Sequence, residues 1–183
     1  MTTALLVIDV QESFRNQPVW GQISDPQIAR KIGSLVAAAR SAGDRVIWVL
    51  HAEPGTGGPF DPATGFVRLM AGLEPADGEP VLTKTVHNAF TTTNLAEILT
   101  EEGITRLRVS GIRTEQCVET TARLASDLGY EVEFVRDATA THPLPLADGS
   151  SVLRADEVIE RTTAALAGRF ATIVTLAELG VQV

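Results

Sequence analysis

Short runs of Val, Ile and Leu recur along the chain, separated by stretches in which apolar residues return every three or four positions. The runs are Leu5 to Val10, Arg45 to Leu50, Pro80 to Lys84, Arg106 to Ile112, Tyr130 to Val135 and Ala171 to Leu176. Their near-continuous apolarity marks strands buried on both faces, as in a parallel sheet flanked by helices. Helices are expected between them. One opens at Asp25-Pro26, an N-cap and N1 pair, and runs to about Ser41 before Gly43; a second runs from Thr93 to Glu102 before Gly103. Thr114 to Leu128, capped by Gly129, and about Asp148 to Leu166 complete the set. The pattern predicts an α/β fold.

Two stretches break it. His51 to Gly78 is rich in Gly and Pro, with one apolar piece from Phe66 to Leu73, and a Pro-rich loop runs through Leu146. In a compact domain a connection as long as the first reads as an active-site loop. At 183 residues and 44% hydrophobic content the chain fits one domain, residues 1–183. Its net charge of -8, with 15 scattered basic residues, excludes nucleic acid and anionic membrane surfaces as expected partners and leaves small molecules. No apolar run approaches the ~20 residues that span a bilayer. The start, Met1-Thr2-Thr3, shows no basic leader, and a single cysteine rules out an intrachain disulfide, so a cytoplasmic location is expected.

In open parallel sheets ligands bind beyond the carboxyl ends of the strands. Those ends carry Asp9, His51, Lys84, the turn before Cys117, and Asp137. Asp9 follows an apolar run, so its carboxylate needs a partner once buried, and Lys84 is the natural one. The pair reads either as a salt bridge or, with a thiol beside it, as a proton-handling set. With Thr114 as N-cap, Cys117 falls at N3, where first-turn amides and the helix dipole favour a thiolate nucleophile. Packing as a small buried residue is the alternative.

Three blocks then stand in order: Leu5-Leu6-Val7-Ile8-Asp9-Val10-Gln11 with Phe14; Lys84-Thr85-Val86-His87-Asn88-Ala89-Phe90 with Thr93 and Leu95; and Gly111-Ile112-Arg113-Thr114 with Cys117-Val118 and Thr121-Ala122. Together they resemble the isochorismatase-like cysteine hydrolases over nearly the whole chain. The resemblance implies a three-layer α/β/α sandwich with a six-stranded, mainly parallel sheet of order 3-2-1-4-5-6. It implies a catalytic triad at Asp9, Lys84 and Cys117, and a cis peptide between Ile112 and Arg113 that aims the Arg113 and Cys117 amides at an oxyanion. It further implies hydrolysis of an amide, carbamoyl or lactam bond of a small molecule through a thioester, and a homodimer or homotetramer. The alternatives within the family are isochorismatase-type vinyl ether cleavage, which uses no nucleophilic thiol, and metal-dependent nicotinamidase activity. Outside it stand a non-catalytic binding protein on the same fold and a thiol redox sensor, the latter lacking a resolving cysteine.

Metal-dependent nicotinamidases of this family carry Asp-x-His after the second strand and a further His. Here the residues are His51-Ala52-Glu53, followed by Arg68 and Met70 in that region, so neither metal nor other cofactor is expected. Candidate substrate-binding residues are Phe14, Trp20, His51, Phe60 and Arg113. Arg15, Arg68 and Arg113 are candidate carboxylate anchors, and in Arg113 the backbone alone can be what matters. His87 and His142 are expected in supporting polar roles.

Overall fold

A computed structural model describes residues 2–183. Six parallel strands form one sheet: β1 (Thr2–Ile8), β2 (Arg45–His51), β3 (Val81–Lys84), β4 (Ile104–Ile112), β5 (Glu131–Ala140) and β6 (Thr172–Val174). Their spatial order is 3-2-1-4-5-6, as expected. β1 is central, and Ala4 to Ile8 are wholly buried, which is why this segment is apolar at every position rather than at every second one.

Alternate residues of β1 enter two separate cores. Ala4, Leu6 and Ile8 face Leu95 and Leu99 of α2 (Leu95–Glu101), Ala122 and Ala125 of α3 (Glu119–Asp127), and Leu166 at the end of α4 (Ala155–Leu166). Leu5 and Val7 face Ile28, Ile32, Leu35 and Ala39 of α1 (Ile28–Ala42), with Met70 and Leu73 of the long loop closing that side. The result is three layers, α/β/α. No helix among the described residues is long and apolar enough to cross a membrane.

Several boundaries move, each for a local reason. α1 starts at Ile28 because the Asp25 carboxylate accepts the Gln27 N–H (2.8 Å), closing a turn ahead of the helix instead of capping it. Gly43 does end α1, in the left-handed region at φ 77°. The stretch expected to begin the last helix at Asp148 forms a two-stranded ribbon, Leu144–Pro145 against Val152–Leu153, turning at Asp148 to Ser150. α4 begins only at Ala155, where the Glu157 carboxylate accepts the Arg154 N–H (2.8 Å). Asp137 lies within β5 rather than at its end, and its carboxylate accepts the Leu176 N–H (2.9 Å), fastening the C-terminal segment. Ahead of α3, Thr114–Val118 winds as a single π turn with Arg113 in the N-cap position, so Thr114 does not cap and Cys117 is not at N3 of an α-helix. The Thr114 hydroxyl instead donates to Thr139 Oγ1 (3.0 Å), tying the turn to β5.

Candidate active site

The register of the sheet brings four strand ends together. Ile8 lies opposite Val49 on one side and Gly111 on the other, and His51 lies opposite Lys84. Only glycine fits at 111. A Cβ there would stand 1.9 Å from the Ile8 carbonyl oxygen, and the backbone sits at φ +125°. β4 can therefore press its end against β1, one residue from Asp9.

Asp9 leaves the strand in the left-handed region, φ 54°, a conformation short polar side chains tolerate best. Its N–H donates to Val49 O (2.8 Å) and its carbonyl accepts the Gln11 N–H (2.9 Å). The buried Gln11 side chain then acts as a surrogate strand: Oε1 accepts the His51 N–H (2.7 Å), while Nε2 donates to His51 O (3.0 Å) and Ser13 Oγ (2.8 Å). Sequence reading placed Gln11 in a motif but assigned it no task, because its partner is forty residues away.

Lys84 is fully buried, with Nζ 2.8 Å from Asp9 Oδ2 and 3.3 Å from Cys117 Sγ. The three residues expected to act together are thus in contact. Cys117 hangs from the π turn, which is closed by Val118 N–H donating to Arg113 O (3.2 Å). Such turns recur at functional sites because the extra residue pushes one side chain off the regular helical path. Thr121 fixes it from below, donating to Cys117 O (2.7 Å) and accepting the Ala89 N–H (3.1 Å), which joins the loop after β3 to the cysteine turn. The Ile112–Arg113 peptide is cis.

Electrostatics differ from the expectation for the thiol. Burial first, then the neighbouring Asp9 charge, push Cys117 up to about 12, and Lys84 only partly offsets them. The resting group is a thiol, so the helix-terminus argument for a preformed thiolate is overturned by desolvation. Asp9 is also raised from its ordinary value, by burial, against the opposing attraction of Lys84 and the contact with Cys117. A carboxylate made more basic beside a thiol that must lose a proton is the pairing a general base requires.

A cavity of about 140 Å³ opens onto this cluster, lined by Asp9, His51, Arg113 and Cys117. Phe14 and Phe60 wall it with an edge-to-face contact (ring centroids 5.0 Å apart). Gln17, Glu53, His87 and Gln116 complete it; none of these had been named as pocket walls, since each sits in an irregular loop or turn without a repeating pattern. A larger depression of about 510 Å³ beside Lys31 and Arg136 is lined by hydroxyls and carboxylates but holds no thiol. Chemistry, not volume, selects the smaller one.

Trp20 is not brought to the cavity. Pro18–Gln22 winds into a 3-10 turn that lays the indole against the core under α1, with the Arg15 guanidinium 5.9 Å from the ring. Arg15 pairs with Glu12 and Arg68 is exposed, and neither lines the cavity. Arg113 does line it, with Nη2 2.6 Å from Glu115 Oε1, whose other oxygen accepts the Thr141 hydroxyl (2.6 Å). Its charge is spent within the protein. His142 stands outside the cavity with Nδ1 3.2 Å from Pro143 O. Among the described residues no group of three or more His, Cys, Asp or Glu is placed to hold a metal ion. His51 faces Lys84 through Nδ1 (3.3 Å) and Glu53 through Nε2 (3.3 Å).

Residues 3–178 match the model of the isochorismatase domain. The chain is 37% identical over 150 residues to a streptothricin hydrolase of Streptomyces noursei, covering 81% of this chain and 58% of that protein. It is 29% identical over 188 residues to the ureidoacrylate amidohydrolase RutB of Methylorubrum extorquens, covering 81% of this chain and 74% of that one. Among solved structures, an isochorismatase from Pseudomonas putida superposes with a TM-score of 0.87 at 36% identity, over 96% of this chain and 88% of that chain.

Proposed function

The chain belongs to the isochorismatase family of hydrolases, and on that premise we propose that it cleaves a C–N bond of a small molecule, an amide, carbamoyl or lactam, with Cys117 as nucleophile. The observation that carries this reading is the contact of the buried Lys84 with Asp9 and Cys117, both of which line a cavity sized for a small substrate. The similarity to an amidohydrolase supports the bond type.

In the proposed reaction Asp9 takes the Sγ proton as Sγ adds to the carbonyl carbon, and the C=O electron pair moves to oxygen. Backbone N–H groups of Arg113 and Cys117 hold the oxyanion, and Lys84 offsets the negative charge that the cluster gathers. Collapse breaks the C–N bond, and the departing nitrogen takes the proton from Asp9. Water then gives a proton to Asp9 while its oxygen adds to the thioester carbon. A second collapse releases the acid, and the cysteine sulfur recovers its proton from Asp9. Since the resting thiol is protonated, deprotonation and attack belong to one step. The vinyl ether alternative gives the thiol no task, whereas here the thiol is the group that Lys84 and Asp9 converge on.

A panel of small amides, carbamoyl compounds and lactams, followed by ammonia or amine release, tests this. Cys117→Ala and Asp9→Asn are each expected to lower kcat at least about 10³-fold while the fold is retained by circular dichroism. Full turnover by Cys117→Ala would overturn the proposal.

A further inference from the structure

The Lys84 ammonium has three N–H donors and no acceptor. Two face Asp9 Oδ2 (2.8 Å) and Cys117 Sγ (3.3 Å); the third faces Nδ1 of His51 (3.3 Å). Nδ1 must then present its lone pair, which places the imidazole proton on Nε2, where the Glu53 carboxylate stands 3.3 Å away to accept it. We propose that Glu53 and His51 are positioning residues: Glu53 fixes the Nε2–H tautomer of His51, and His51 in turn aims the Lys84 ammonium at Asp9 and Cys117. His51 is itself held by its backbone, through the two hydrogen bonds to the Gln11 amide, and by its ring between Phe60 (5.6 Å) and His87 (6.5 Å, stacked).

The charged and titratable groups facing the ring are Lys84 at the end of β3, Asp9 at the end of β1, Glu53 on the loop after β2 and His87 on the loop after β3. Burial first, and Lys84 second, hold His51 below its ordinary value, so the neutral ring persists at neutral pH. Acidification turns the acceptor Nδ1 into a donor aimed at the ammonium. The arrangement is then lost.

The inference uses the reading of Cys117 as the reacting group, yet its test needs no substrate. Nitrogen chemical shifts of the labelled protein at pH 7.5 are expected to report Nε2–H for His51, and iodoacetamide reports the reactivity of Cys117. His51→Asn places an amide oxygen near the former Nδ1 and is expected to keep alkylation within about threefold of the unaltered chain. His51→Leu removes the acceptor and is expected to slow alkylation at least about tenfold, as the unpaired N–H swings Lys84 off the sulfur. Glu53→Ala is expected to shift His51 toward the Nδ1–H form, and Glu53→Gln, which can still accept, to leave the tautomer in place. Acidification below about pH 6.5 should slow alkylation more in the unaltered chain than in His51→Asn. An Nδ1–H tautomer in the unaltered chain, or equal alkylation rates in His51→Leu and His51→Asn at matched melting temperatures, would overturn the positioning role. Absence of amide turnover alongside the expected tautomer and alkylation rates would instead count against the proposed function alone.

Discussion

Replacing Lys84 with Met leaves the Asp9 carboxyl fully buried without its cation. Two outcomes are open to the folded variant: it keeps a bare buried charge, or it holds a proton that the unfolded chain does not. The second sets the ceiling. An unfolded aspartate ionises near pH 3.9, so keeping it protonated at pH 7 costs about 4.2 kcal/mol, and at pH 5 about 1.5 kcal/mol. The first figure agrees with the ~3–5 kcal/mol typical of breaking a buried pair. Because Asp9 is raised in the folded state, its contribution is fully present below the unfolded value and is lost as pH rises through the folded one. Lys84 opposes that rise, and without it the loss extends further up the pH scale. Urea unfolding followed by circular dichroism is therefore expected to show Lys84→Met less stable than the unaltered chain by at most about 4 kcal/mol at pH 7, falling toward about 1.5 kcal/mol at pH 5. Asp9→Asn combined with Lys84→Met needs no proton and is expected to recover most of the loss. A penalty below ~1 kcal/mol at pH 7, or an equal one at both pH values, would refute the reasoning.

Gly111→Ala would place a methyl 1.9 Å from the Ile8 carbonyl oxygen at φ +125°, and is expected to cost about 3 kcal/mol or more in urea unfolding while altering Cys117 alkylation through the displaced Asp9; wild-type stability would contradict this. Burial of Glu79 raises its pKa, but Arg40, the Trp48 indole N–H (2.7 Å) and the Ala76 N–H (2.9 Å) outweigh it and bring the carboxyl down to about 2. A depressed carboxyl contributes stability above its unfolded value and loses it as pH falls toward 2, so Glu79→Gln is expected to cost up to about 3 kcal/mol at pH 7 and little near pH 2. A penalty unchanged across that range would show that the mutation acts through packing.

Local pattern carried most of the fold. Apolar runs marked all six strands, most plainly the inner ones, because a segment buried on both faces cannot conceal that in its composition; the edge strands β3 and β6 keep exposed positions, and β5 runs on to Ala140, five residues past its apolar run. Gly43 declared the end of α1 because it must adopt a left-handed turn. The boundaries that shifted lie where side chains chose unexpected local partners, as Asp25 did with Gln27 and Glu157 with Arg154. Asp9, Lys84 and Cys117 could be singled out in advance because a charged or nucleophilic residue at the end of a buried strand is conspicuous.

What those residues do to one another was decided only in three dimensions. Lys84 and Cys117 are 33 positions apart and Gln11 and His51 are 40 apart, distances over which no periodicity speaks. Burial, a property of the assembled layers, keeps Cys117 a thiol where its place near a helix start argued for a thiolate. Glu115 pairs with the guanidinium of Arg113 at the cavity wall, and a 3-10 turn packs Trp20 against the core and away from the cavity. The sequence determined which chemical groups stand at the carboxyl edge of the sheet. The pairing of β1 with β2 and β4, and of β2 with β3, determined which of them touch, and a proton is shared only between groups that touch.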